Sequence, residues 1–101
     1  MNLQDLMHFE EKLLLCEYNN KFTMNFSDYI VLYNFLKEVE NITNLYFQLI
    51  DDYKKKINKE NIDNSERYNK LKSYNEKLLN EEVFFNFNPY EEFMEKYGIE
   101  K

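Results

Sequence analysis

Nucleophilic catalysis needs a base within hydrogen-bonding reach of the nucleophile. The chain offers one histidine, His8, and one cysteine, Cys16. Eight residues apart, they would lie two turns from one another on a continuous helix, beyond that reach. The expectation is a half-buried His8 and a core Cys16. Adjacent carboxylates occur at Glu10-Glu11, Asp51-Asp52, Glu81-Glu82 and Glu91-Glu92. Neighbouring residues diverge by about 100° on a helix or point to opposite faces of a strand, so such a pair is not in itself a metal clamp. Glu10-x-Lys12 and Asp52-x-Lys54 echo the acid-x-Lys fragment of metal-dependent nucleases, but neither sits on a strand with a second acid in place. Asn61, Asp63 and Ser65 imitate the opening of a calcium loop without its turn glycine or its closing glutamate. No glycine-rich loop is present to cradle a phosphate. The expectation is a non-catalytic chain with no metal and no cofactor.

Charge separates along the chain more clearly than any motif. Residues 54–72 hold seven cations against three carboxylates, net +4, whereas residues 1–20 carry −3, residues 21–53 carry −3 and residues 81–101 carry −4, within a total of −6. Lys54, Lys55, Lys56, Lys59, Arg67 and Lys70, with Tyr53, Tyr68 and Tyr74 interleaved, are the residues that would grip phosphates and stack bases if the chain bound nucleic acid. Glu60, Asp63 and Glu66 intrude, and the acidic remainder repels a polyanion, so nucleic acid is the lesser expectation. The acidic ends point the other way. Glu10, Glu11, Glu81, Glu82, Glu91, Glu92 and Glu95, with Tyr90 and Tyr97, predict a partner-binding surface that imitates nucleic acid and occupies a basic site on another protein. Nine Tyr and nine Phe exceed what one small core hides, so some of Tyr18, Tyr29, Tyr33, Tyr90 and Tyr97 are expected at the surface.

These residues must be positioned by few elements. Residues 1–12 put Leu3, Leu6, Met7 and Phe9 near one another on a short helix that Asn2 can cap. From Leu13 the chain reads LLLCEY, Asn19-Asn20, KFTMNF, with Phe22, Met24 and Phe26 alternating, which predicts a β-hairpin. The competing reading extends the first helix to Tyr18, and periodicity alone does not decide whether residues 13–18 are strand or helix. Asn25 or Ser27 can cap the next segment. There Leu32, Phe35, Val39, Ile42, Tyr46, Leu49, Tyr53 and Ile57 form a stripe at helical spacing, with a break expected near Glu40-Asn41. An intermolecular coiled coil along this stripe is less expected than burial against a second helix capped by Asn64 or Ser65, which carries Tyr68, Leu71, Tyr74 and Leu78. In EEVFFNFNP, Val83, Phe85 and Phe87 alternate, predicting a strand to pair with residues 21–26. Asn88, Pro89 and Glu91 open a short terminal helix that Gly98 closes.

The fold class expected is therefore helix-dominated α+β. A long helical hairpin is joined by a small two- or three-stranded antiparallel sheet and a short C-terminal helix. One domain spans residues 1–101, divided as 1–20, 27–80 and 82–101. Its 101 residues, 44% hydrophobic and 18% aromatic, support one core and not two. A lone cysteine excludes an internal disulfide, no apolar run approaches a membrane span, and Asp5, Glu10 and Glu11 break the pattern of a secretory signal. A cytoplasmic, soluble chain is expected, with no membrane partner.

Residue usage, with no Ala, one Gly, one Pro and one Arg against abundant Asn, Lys, Tyr, Phe, Ile and Glu, is that of an AT-rich genome. The order KFTMNF, SDYIVLYNFLKEV, ERYNKLKSYNEKLL, EEVFFNFNPYEEF over residues 21–95 resembles small uncharacterised proteins encoded by phages of low-GC Gram-positive bacteria. In them, too, a strand feeds a helical hairpin that returns to a strand. Residues 1–20 depart from that pattern. The resemblance implies a genomic setting and no specific activity. Small phage products are commonly virion or assembly components, or inhibitors of host machinery such as anti-CRISPR proteins. The favoured expectation is an inhibitor of a host defence or nucleic-acid-processing enzyme, its partner a host protein such as a nuclease. The alternative is a structural or assembly protein acting by self-association, including as a homodimer, and the third reading is a small nucleic-acid-binding regulator using residues 54–72.

Overall fold

The computed structural model describes all 101 residues, Met1–Lys101. Four α-helices follow in order, α1 Leu3–Asn20, α2 Phe26–Asn58, α3 Asn64–Asn80 and α4 Glu91–Tyr97, with a 3-10 turn at Asn88–Tyr90 leading into α4. Each long helix begins on a side-chain cap. Asn2 accepts the Asp5 N–H at 2.8 Å, and Asp5 reaches back to the Asn2 N–H at 3.4 Å, a reciprocal capping box. Asn25 accepts from Asp28 N–H, and Asp63, one residue earlier than expected, accepts from Glu66 N–H, both at 2.8 Å. Gly98 ends α4 in the left-handed conformation at φ 68°, where a side chain would be strained.

The molecule is a rod of 55 × 25 × 17 Å built along α2. At 1.5 Å rise per residue, a 33-residue helix is about 50 Å long and sets that length. The helix runs without the expected break at Glu40-Asn41; its buried stripe is Leu32, Phe35, Leu36, Val39 and Thr43, with Ile57 buried again near its end. α1 and α3 both run antiparallel to α2, α1 along its N-terminal half and α3 along its C-terminal half. Thr43 donates to Glu10 at 3.0 Å and Tyr29 to Glu17 at 3.3 Å across the first pair. In the second pair Tyr46 donates to Asn75, and Tyr53 stacks on Tyr74 at 4.3 Å.

There is no sheet, and the α+β expectation is corrected to an all-helical fold. The segments expected as strands are lost for different reasons. Leu13 and Cys16 continue the spacing of Leu6 and Phe9, so they extend one buried helical face. α1 then runs to Asn20, and residues 13–18 are helix. The segment Lys21–Met24 is a tight turn in which Thr23 and Met24 N–H donate to Asn20 O; Phe22 in it and Phe26 at the start of α2 face solvent, while Met24 between them packs on the core. In residues 83–87 the alternation does reflect one-sided burial, with Val83, Phe85 and Phe87 on the core and Phe84 86% exposed. No strand lies alongside. The only bridge joins Leu3 N–H to Glu81 O and Val83 N–H to Met1 O, each at 3.0 Å, and it staples the start of α1 to the end of α3.

The main core cluster lies toward one end. Leu6, Phe9, Leu13 and Cys16 of α1, Leu32, Phe35, Leu36 and Val39 of α2, Phe87 and Tyr90 of the strap, and Phe93 and Met94 of α4 form a single cluster. Phe35 is its centre, stacked on Tyr90 at 4.0 Å and tilted on Phe9 at 5.5 Å.

Candidate functional site

The carboxylates expected to bind a partner sit at three places, one on α4 and two near the middle of the rod. Glu91, Glu92 and Glu95 lie exposed on α4, and Glu81 and Glu82 lie exposed beside the start of α1. Glu10 and Glu11 share α1 but diverge, as neighbours on a helix must. Glu11 is exposed, whereas Glu10 is half-buried against α2, where it accepts the Thr43 hydroxyl. Burial raises the Glu10 pKa, the Thr43 bond lowers it, and nearby Glu40 and Glu11 raise it further. The N-terminal ammonium lies 3.4 Å from Glu82 and the Lys101 amine 3.9 Å from Glu91, while Glu11, Glu81, Glu92 and Glu95 form no ion pair. Lys101 shares a shallow surface groove with Met1, Asp5 and His8, which brings the end of the chain back to the N-terminal half of α1.

The two tyrosines of the expected surface are turned inward. Tyr90 is 5% exposed in the aromatic core, and burial, with Glu38 beside its hydroxyl, pushes its pKa up. Tyr97 is half-buried and donates to Asp28 at 2.6 Å, a bond that pushes its pKa up to about 12. Asp28 also accepts from Lys96 at 2.6 Å, and the bonds from Lys96 and Tyr97 hold its carboxyl below the usual range. This triad ties α4 to the first turn of α2. Both tyrosines thus anchor the element that displays Glu91, Glu92 and Glu95.

At the far end, Lys54, Lys55, Lys56 and Lys59 are exposed, and Lys56 lies over the Tyr53 ring at 5.9 Å. Arg67 and Lys70 are occupied by the hairpin itself. The Arg67 guanidinium donates to Ile57 O at 3.4 Å, Glu60 O at 3.0 Å and Asn64 Oδ1 at 3.2 Å, closing the end of α2. Lys70 donates to Glu60 at 2.8 Å, which lowers the Glu60 pKa and raises that of Lys70. Two of the six residues suited to phosphate are therefore committed to structure.

His8 is exposed and Cys16 is 7% exposed, on different sides of α1. Burial pushes the Cys16 thiol up, partly offset by the Asn20 amide at 3.8 Å, which favours the thiol over the reactive thiolate. No three side chains among His, Cys, Asp and Glu converge as metal ligands would. No helix is long and apolar enough to cross a membrane.

Tyr18 and Tyr33 are exposed, as expected for some of the tyrosines, and they stand with other bare apolar side chains that the sequence does not group. Leu14 and Tyr18 on α1, Phe22 in the turn, and Phe26, Ile30 and Tyr33 on α2 stand exposed in one stretch of chain, Phe22 at 96% and Tyr18 at 85%. Residues 26, 30 and 33 step by four and three, a second helical stripe opposite the buried one. That spacing is present in the sequence, but the alternation of Phe22, Met24 and Phe26 reads equally as a strand.

No protein-family model, no curated protein and no solved structure matches the chain.

Proposed function

We propose that the chain is a non-catalytic protein-binding module whose acidic thick end occupies a basic site on a partner. The observation that carries this reading is the sorting of charge along a rod of 55 Å. Unpaired Glu92 and Glu95 lie on α4 at one end, Glu11 and Glu81 lie near the middle, and Lys54, Lys55, Lys56 and Lys59 lie at the other end. A face with a net excess of carboxylates, set apart from the lysine-rich tip, attracts a cationic surface and favours one orientation of approach. In its sharper form, the partner is a host defence or nucleic-acid-processing enzyme and the basic site is the groove that holds nucleic acid, so occupation inhibits. Phage origin and cytoplasmic action belong to that sharper form and rest on residue usage and pattern.

The test is capture of partners from a low-GC bacterial lysate by the intact chain and by the triple variant Glu91→Lys, Glu92→Lys, Glu95→Lys. One protein retained in equimolar amount at ~50 mM salt, lost at ~300 mM and lost on the variant, is the expected result, because the Debye length falls across that range. A protein retained equally by the variant and at both salt concentrations overturns the acidic-face reading.

A further inference from the structure

The exposed apolar residues of the α1–α2 elbow form a band on one side of the molecule. On α1, Leu13 and Cys16 face the core, so Leu14 and Tyr18, four residues apart, share the outward side. On α2, Leu32, Phe35 and Val39 face the core, and Phe26, Ile30 and Tyr33 lie on the opposite side. The hydrogen bonds from Tyr29 to Glu17 and from Thr43 to Glu10 mark the seam between the helices. Tyr18 follows Glu17 on one bank, and Tyr33 lies one turn beyond Tyr29 on the other. Phe22, in the turn, closes the band at the end of the rod. The strap and α4 cover the core-facing sides and leave this band bare.

Such a band exceeds what a monomer ordinarily exposes. Leu14 is 45%, Tyr18 85%, Phe22 96%, Phe26 77%, Ile30 46% and Tyr33 52% exposed. With large aromatic side chains presenting roughly 150–250 Å² each, the six offer on the order of 800 Å², above the usual largest patch and close to one partner's share of a stable interface. Charge selects the occupant. Residues 14–37 hold two carboxylates, Glu17 and Asp28, and two cations, Lys21 and Lys37, and are net neutral inside a chain of −6. A basic partner would find its complement elsewhere, on α4 and beside Glu81, whereas a copy of the same neutral band meets no net repulsion. Asp28 is neutralised within its own molecule by Lys96, and Lys37 lies over the Tyr33 ring at 5.6 Å.

We infer that the elbow is a homodimer interface in which the α1–α2 layers of two chains pack face to face about a two-fold axis, making a four-helix layer. The interface is isologous, so Phe22 and Phe26 of each chain pack against the same band on the other. Dimerisation leaves the carboxylates of α4 and the lysine-rich tips free, and it holds whether or not the acidic face binds a further protein.

Light scattering and sedimentation velocity of the full chain, from ~1 to ~200 µM and at low and high salt, read the association directly. The expected result is a species of twice the 12.6 kDa chain mass that persists at high salt, since apolar burial and not ion pairing holds it. The double variant Phe22→Ser, Phe26→Ser, with helical circular dichroism unchanged because both residues are exposed, is expected to weaken dimerisation at least ~100-fold. The pair Leu45→Ser, Leu49→Ser, on another exposed part of α2, is expected to leave it intact. A monomer at every concentration overturns the inference, whether its band stays bare or binds phosphatidylcholine vesicles in a flotation assay. So does a dimer that survives the phenylalanine pair and is lost with the leucine pair.

Discussion

The two halves of α2 are in different situations although one helix runs through both. One face of its N-terminal half is covered by α1, the aromatic strap and α4, and Leu32, Phe35 and Val39 are fully buried there. Its C-terminal half has only α3 beside it. Past Thr43, just Ile57 is buried on α2, and on α3 only Leu78. The thick end is held by packed rings in several layers, the hairpin by two-body contacts and polar closures such as Tyr46 to Asn75 and Arg67 to the carbonyls of Ile57 and Glu60. Continuity of a helix therefore says little about uniformity of stability, because most helical stability comes from what the helix packs against.

The largest effect expected from that difference is at Phe35. Phe35→Ala removes a ring in contact with Phe9, Phe85, Phe87 and Tyr90 from a site that cannot collapse around the loss, and it should cost about 3–5 kcal/mol in urea unfolding. Ile57→Ala, also buried, is bordered by the exposed tip, where side chains and water can fill in, so it should cost about 2 kcal/mol. Equal losses at the two positions would break the comparison.

A smaller effect sharpens it. Arg67→Ala leaves the carbonyls of Ile57 and Glu60 without their guanidinium and should cost about 1–2 kcal/mol. The cost should be local. Amide hydrogen exchange should accelerate in residues 57–70 while the amides around Leu6, Phe9 and Leu32 keep their protection. Acceleration throughout would show that the rod opens as one cooperative unit.

The same division explains what could be read in the sequence. The start of α1 with its Asn2 cap, the two helices of the hairpin and the Gly98 stop were legible because each depends on a few neighbouring residues, whereas periodicity does not decide residues 13–18 of α1 between strand and helix. The hairpin was legible because the stripe from Leu32 to Ile57 repeats at helical spacing. The sheet was misread because alternation records which side chains are buried and not what the backbone bonds to. Val83, Phe85 and Phe87 alternate inward across an aromatic core with no strand beside them, and Phe22 and Phe26 alternate toward solvent. The acidic residues were legible as charge, but their grouping was not. Only the fold shows Glu10 turned onto Thr43, Tyr90 stacked on Phe35 and Tyr97 bound to Asp28.

The smallest effects separate two carboxylates within the thick end that respond to pH in opposite senses. Asp28 is held below the usual range by Lys96 and Tyr97, so the folded chain gives up that proton more readily than the unfolded one. Its contribution is complete above the unfolded value of about 3.9 and is lost as pH falls through the depressed folded value. Tyr97, raised to about 12, adds a matching loss at the alkaline side, complete below about 10 and gone as pH rises through about 12. Glu10 is raised by burial, so the folded chain holds its proton more tightly. Its contribution is complete below the unfolded value of about 4.3 and is lost as pH rises through the folded value, which makes ionised Glu10 a cost at neutral pH. Asp28→Asn should therefore destabilise at pH 7 and flatten the acid limb of the stability profile. Glu10→Gln, which can still accept the Thr43 hydroxyl, should leave stability at pH 7 unchanged or raised and lose any advantage near pH 4. Urea midpoints of the parent and both variants at about pH 2, 4 and 7 measure this, the lowest value reading the Asp28 limb. If Glu10→Gln destabilises at pH 7 as Asp28→Asn does, the Thr43 bond outweighs burial, and both carboxylates serve as anchors between helices.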